Sequence, residues 1–80
     1  MQGALSLRFA LPRDAEVSLA IYDAAGREVR TLASGAWPAG DHDVTWDGRD
    51  RSGRATASGL YLVRLEAEGR TIVRRVMTLR

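Results

Sequence analysis

Apolar and polar residues alternate along most of this chain. In "ALSLRFALP", Leu5, Leu7, Phe9 and Leu11 fall on every second position, with Ser6, Arg8 and Ala10 between them. A period of two puts one set of side chains on one face, so the stretch predicts a half-buried β-strand. Pro12 ends it, because proline has no N–H to give to a sheet ladder. "EVSLAIYD" repeats the pattern, with Val17, Leu19 and Ile21 inward and Ser18, Ala20 and Tyr22 outward. "DAAGRE" then predicts a reversal, since Asp23 can accept hydrogen bonds from the backbone that follows it and Gly26 can take a positive φ.

"EVRTLAS" reads as a third strand of ambiguous facing, because Val29 and Leu32 have opposite parity. Residues 35–40, "GAWPAG", are bounded by glycine and read as a connector, with Trp37 either exposed or packed. "HDVTWD" resumes the alternation with Val44 and Trp46 on one face, and a polar loop is expected from Asp47 to Ser58. "GLYLVRLEAEG" is the clearest strand: Tyr61, Val63, Leu65 and Ala67 share a face, while Arg64 and Glu66 take the other. The predicted core is therefore Leu7, Phe9, Val17, Leu19, Ile21, Val44, Trp46, Tyr61, Val63 and Leu65.

The last segment, "RTIVRRVMTLR", breaks the rule. Arg74 and Arg75 are neighbours, so a flat strand must turn one of them inward, whichever face is buried. A bulge, or an edge position with one open face, resolves the conflict. Packing is expected from Ile72 or Val73 at its start and from Met77 or Leu79 at its end. No stretch shows sustained helical spacing, and short strands joined by Gly-rich turns predict an all-β sandwich.

Length makes residues 1–80 a single domain. With no Cys there is no disulfide framework, and with one His the usual structural zinc sets are excluded as well. A core this small rarely supplies more than about 3–5 kcal/mol, so regular strand packing or a supporting neighbour is expected. All twelve basic residues are Arg; against ten acids they leave a net charge of +2. The pI near 9.9 follows from the missing Lys, because little titrates between neutral pH and the tyrosine range. Acids and arginines are interleaved, which argues against a nucleic-acid surface. The absence of Lys excludes a Lys-based isopeptide staple, and the absence of Asn excludes N-glycosylation. No apolar run is long enough for membrane insertion, and no signal-peptide core follows Met1.

Candidate chemistry is sparse. His42 lies in "DHD", but neighbours on a strand point to opposite faces, so neither Asp41 nor Asp43 can orient it as a catalytic base. Ser6, Ser18, Ser34, Ser52 and Ser58 lack the strand-to-helix elbow of a hydrolase nucleophile. In "DGRDRSG", Asp47, Asp50 and Ser52 could offer three oxygens to calcium, yet Arg49 and Arg51 hold the alternate positions where ligands belong. A reversal loop with Trp46 beneath it accounts better for the same residues. Neither an enzyme nor a cofactor is implied. Trp37 and Trp46, if both exposed and coplanar, would instead offer a platform for glycans.

The phrases "IYDAAGREV", "AGDHDVTWDGRD" and "SGLYLVRL", in this order and spacing, resemble a bacterial immunoglobulin-like module. The chain is similar to the Ig-like domain of the flagellar hook-capping protein and to the C-terminal sorting domains of type IX secretion. The resemblance implies an Ig-like β-sandwich of about seven antiparallel strands. It also implies a module sitting at the C-terminus of a larger exported polypeptide, hence a secreted or cell-surface location with the export signal elsewhere. The sorting domains end in a basic pair, alternating apolar residues and a final basic residue, which maps onto Arg74, Arg75, Val76, Met77, Leu79 and Arg80. Arg stands here where that family commonly has Lys, and "RDRSG" replaces the Asn-containing turn often seen after Trp-Asp-Gly.

Three readings follow. The first is a non-catalytic sorting or anchoring element, its last strand recognised by secretion or surface-attachment machinery. The second is a structural spacer or self-association module, as in hook-cap assembly, working through an edge strand or a neighbouring domain of the parent protein. The third is a glycan-binding module.

Overall fold

The computed structural model describes residues 5–78. Six strands run in this range: β1 (Leu5–Leu11), β2 (Ala15–Asp23), β3 (Glu28–Trp37), β4 (Gly40–Trp46), β5 (Gly59–Ala67) and β6 (Arg70–Thr78). They form two antiparallel sheets, a small one of β1 and β4 and a larger one ordered β3-β2-β5-β6. The sandwich thus has six strands among the described residues rather than about seven, and the shortfall lies in the small sheet.

Alternation decides the inner faces. In the small sheet Leu5 stands opposite Trp46, Leu7 opposite Val44 and Phe9 opposite His42. In the large sheet Val17 pairs with Ala67, Leu19 with Leu65 and Ile21 with Val63. Side chains from these rows meet in the core. Phe9, Leu11, Val17, Leu19, Ile21, Ala33, Trp46, Tyr61 and Val63 are buried there, and Leu7, Val44 and Leu65 pack against them half-buried. Trp46, at 1% exposure, is the largest side chain fully enclosed. Its indole stands edge-on to Tyr61, with ring centroids 5.4 Å apart.

Two expectations need correction, the first and third below, and one facing left open by the sequence is settled, the second. First, β3 runs on through Gly35, Ala36 and Trp37, so the connector shrinks to Pro38 and Ala39. Second, the register of β3 against β2 steps from Ala33 to Thr31 and from Arg30 to Glu28, passing over Leu32 and Val29. Each skipped residue is an extra one on the bulged strand, and a bulge re-aims its side chain. That is how two residues of opposite parity both reach the core margin. Third, Ala20 is buried although it alternates with the core residues. It lies on the central strand between Thr31 of β3 and Arg64 of β5, whose longer side chains flank its methyl group.

The strand β6 differs most from expectation. It pairs with β5 through nine consecutive positions without a shift, so the edge position, not a bulge, accommodates the adjacent arginines. Ile72 and Val73 are 45% and 48% exposed and Met77 is 66% exposed; Val76 is the apolar residue that packs. Leu79 lies outside the described residues. The link from β5 to β6 is the pair Glu68–Gly69, with φ of 53° and 74°. Two consecutive positive φ values match the twist of a tight hairpin, and Gly69 adopts its value without strain.

Candidate partner-binding surface

The polar loops were the first candidates for chemistry, and their side chains are spent on holding the backbone. Asp23 Oδ1 accepts from the backbone N–H groups of Ala25 (3.0 Å) and Arg27 (2.9 Å), and Gly26 closes the turn on the Asp23 carbonyl at 3.0 Å. Asp50 Oδ1 accepts from Ser52 N–H (2.9 Å), Ser52 Oγ (2.7 Å) and Arg54 N–H (3.0 Å), and Gly53 closes on the Asp50 carbonyl at 3.0 Å. "DAAGR" and "DRSGR" are one turn built twice, with Gly26 and Gly53 at φ of 90° and 89°. An Asp-x-x-Gly-Arg spacing is the signal that marks the second copy. The carboxyl of Asp23 is held below its ordinary value chiefly by the Arg27 N–H, and that of Asp50 chiefly by the Ser52 hydroxyl.

The proposed calcium oxygens are placed accordingly. Asp47 Oδ1 accepts from Arg49 N–H at 2.9 Å and from Arg30 Nη1 at 3.2 Å. Arg30 also donates to the carbonyls of Arg49 (3.2 Å) and Asp50 (3.5 Å). Of the three oxygens, that of Asp47 is met by the Arg30 guanidinium, while the Asp50 carboxylate and the Ser52 hydroxyl bond each other. Sequence reasoning missed Arg30, because it reaches the loop from β3 across 17 to 20 residues. Trp46 donates its indole N–H to Arg49 O at 2.9 Å, so the core tryptophan anchors the same loop.

His42 faces inward at one end of the sandwich. Its ring centroid lies 5.2 Å from that of Phe9 and 5.0 Å from that of Trp37, which it meets at 89°. Its Nε2 sits 2.6 Å from the Pro38 carbonyl, an acceptor only, so that nitrogen carries the proton. Trp37 is half-buried in this cluster and Trp46 is in the core, so the two indoles form no shared platform. Among the described residues, no group of three or more His, Asp or Glu side chains converges as a metal site requires.

What remains is β6. Arg74 stands opposite Val63 on the inner side and Arg75 opposite Leu62 on the outer side; Ile72 and Val76 share Arg74's side, Val73 and Met77 share Arg75's. Arg8, Arg13, Arg27, Arg30, Arg51 and Arg64 each pair with a carboxylate. No such pair involves Arg70, Arg74 or Arg75 among the described residues. β6 is therefore an exposed edge carrying both free cations and exposed apolar groups. Of the recognition residues expected from sequence, Arg74, Arg75, Val76 and Met77 lie on this strand, whereas Leu79 and Arg80 lie outside the described residues.

The model for the FlgD Ig-like domain matches residues 1–70. Two curated relatives, the basal-body rod modification proteins FlgD of Salmonella typhimurium (strain LT2) and Salmonella typhi, are each 40% identical over 52 residues, covering 65% of this chain and 22% of theirs. The chain thus spans about a fifth of the length of these relatives. Among solved structures, FlgD from P. aeruginosa superimposes with a TM-score of 0.71 at 26% identity, over 94% of this chain and 60% of that one.

Proposed function

The chain belongs to the FlgD Ig-like domain family, and from that premise we propose that it is a non-catalytic structural module of an exported flagellar assembly. Its work is that of a spacer or self-association element of the hook-cap kind, set among neighbouring domains of its parent protein and facing the cell exterior. The family match carries this reading. The polar loops support it, because Asp47, Asp50 and Arg30 are engaged in holding the loop backbone.

The family match favours the structural reading over the sorting one. It ends at residue 70, ahead of Arg74 to Arg80 on which recognition by a secretion machine depends. The test is a chimera in which this chain replaces the matching part of the Salmonella typhimurium protein. Restored swimming is the expected result; a folded, exported chimera that leaves cells immotile rejects the proposal. Sedimentation velocity of the isolated chain at rising concentration then separates the two forms of the role, since a self-association element forms larger species and a spacer does not.

A further inference from the structure

The small sheet is one strand too narrow for the sheet it covers. β4 follows β3 through two residues and so lies over the β3 side, and β1 lies beyond it toward β5 and β6. β1 has β4 on one edge and no strand on the other among the described residues. Beyond that open edge, a groove of about 240 Å³ runs between Leu7, Phe9 and Ala10 of β1 and Val63, Ile72 and Arg74 of the large sheet. A second groove of about 340 Å³ shares Ala10, Leu65 and Ile72 with it and continues to Arg70. The two form one slot along β1.

We propose that this slot receives an extended segment of another polypeptide, added as a third strand beside β1, whose inward positions read acidic, apolar, acidic. An open strand edge supplies main-chain hydrogen bonds, and the opposite sheet supplies side-chain selection. The inner side of β6 presents Arg70, Ile72 and Arg74 at alternate positions, the same spacing that an added strand offers. Neither arginine pairs with a carboxylate among the described residues, and Ile72 is 45% exposed while facing the slot. A second copy fits poorly. Antiparallel pairing of β1 with itself about its centre sets Arg8 against Arg8, and the same pairing of β6 sets Arg74 against Arg74. The inference goes beyond the spacer role and does not depend on self-association.

The test is a backbone-amide NMR titration of the 80-residue chain with the peptide Thr-Glu-Thr-Val-Thr-Glu-Thr and with its counterpart bearing Lys in place of both Glu. Saturable shifts in β1 and the inner residues of β6 are expected with the acidic peptide only. R74E should weaken that binding at least tenfold and transfer preference to the Lys peptide, while R75E, on the outer side, should leave it within twofold. Both side chains are exposed, so both variants should keep the native spectrum elsewhere. Equal binding of the two peptides, shifts confined to other strands, no shift at all, or β1 amides protected by dimerisation of the chain alone would each overturn the proposal. Failure here with a motile chimera removes the slot and leaves the structural module standing.

Discussion

β5 and β6 are each nine residues long and are paired with each other at every position, yet one is core and the other is surface. β5 buries Tyr61 and Val63 and half-buries Leu65 and Ala67. β6 leaves Ile72, Val73 and Met77 exposed. Among the described residues β5 is hydrogen-bonded to β2 and β6 and β6 to β5 alone, and β6 carries three arginines, but neither fact by itself buries an inner-face side chain. On the inner face the difference is coverage, since β1 lies against Leu19, Val63 and Leu65 and leaves Ile72 beside an open groove, whereas Val73 and Met77 face the outer side. An apolar residue stabilises a sandwich only where a second layer removes it from water.

The contrast can be broken most severely at Tyr61. Tyr61→Ala removes a buried ring packed on Trp46 and should cost about 3–5 kcal/mol, comparable to the whole stability expected of so small a core. Loss of the native tryptophan fluorescence and a flat urea transition would record it; a cooperative transition near the wild-type midpoint would show that β5 is no more core than β6. Tyr61→Phe keeps the ring and deletes only the hydroxyl that donates to Ala57 O at 2.7 Å, for an expected loss of about 0.5–1.5 kcal/mol in the same denaturation experiment. On the other strand, Met77→Ser should change stability by no more than about 0.5 kcal/mol, because little apolar area there is withdrawn from water. A larger loss would mean that the outer face of β6 at Met77 is withdrawn from water.

The finest distinction is made by acid. Asp23 and Asp50 have lowered carboxyl pKa values in the folded chain, so each adds stability that is present above its unfolded value near 3.8 and is lost as pH falls through the folded value. As pH falls below about 4, amide protection relative to the intrinsic exchange rate should be lost first at residues 23–27 and 50–54. The β5–β6 ladder, joined by a hairpin with no such carboxylate cap, should follow only with global unfolding. Asp50→Asn should abolish the acid response of its own turn and leave that of Asp23, as exchange measured on the variant would reveal.

Most of this was legible where burial is a local property. Tyr61, Val63 and Leu65 alternate with Arg64 and Glu66 on a central strand, and the Asp23 turn announces itself through Gly26. The facing of Val29 and Leu32 was not legible, because it depends on two bulges that only pairing with β2 defines. Nor was the reach of β3 into "GAWPAG", where glycine suggested a break. Ile72 shares the inner face with Leu65 and lacks only a strand across from it, which no window around residue 72 contains; Val73 and Met77 stand on the outer face opposite Arg64 and Leu60. For the candidate surface, the neighbouring pair Arg74 and Arg75 already implied one cation on each face, whereas the open edge of β1 that gives Arg74 its setting lies some 65 residues earlier.

The double turn and its guanidinium clamp have a bearing on how the chain meets proteases. Arg49, Arg51 and Arg54 make residues 47–58 look like an invitation to trypsin-like proteases. Those enzymes need several residues drawn out into an unpaired, extended conformation, and here the backbone is tied by Arg51 N–H to Val29 O, by Thr56 N–H to Gly48 O and by Arg30 to two carbonyls. Cleavage there must wait for these bonds to open, so resistance to digestion depends on how the loop is tied down as well as on the scissile sequence.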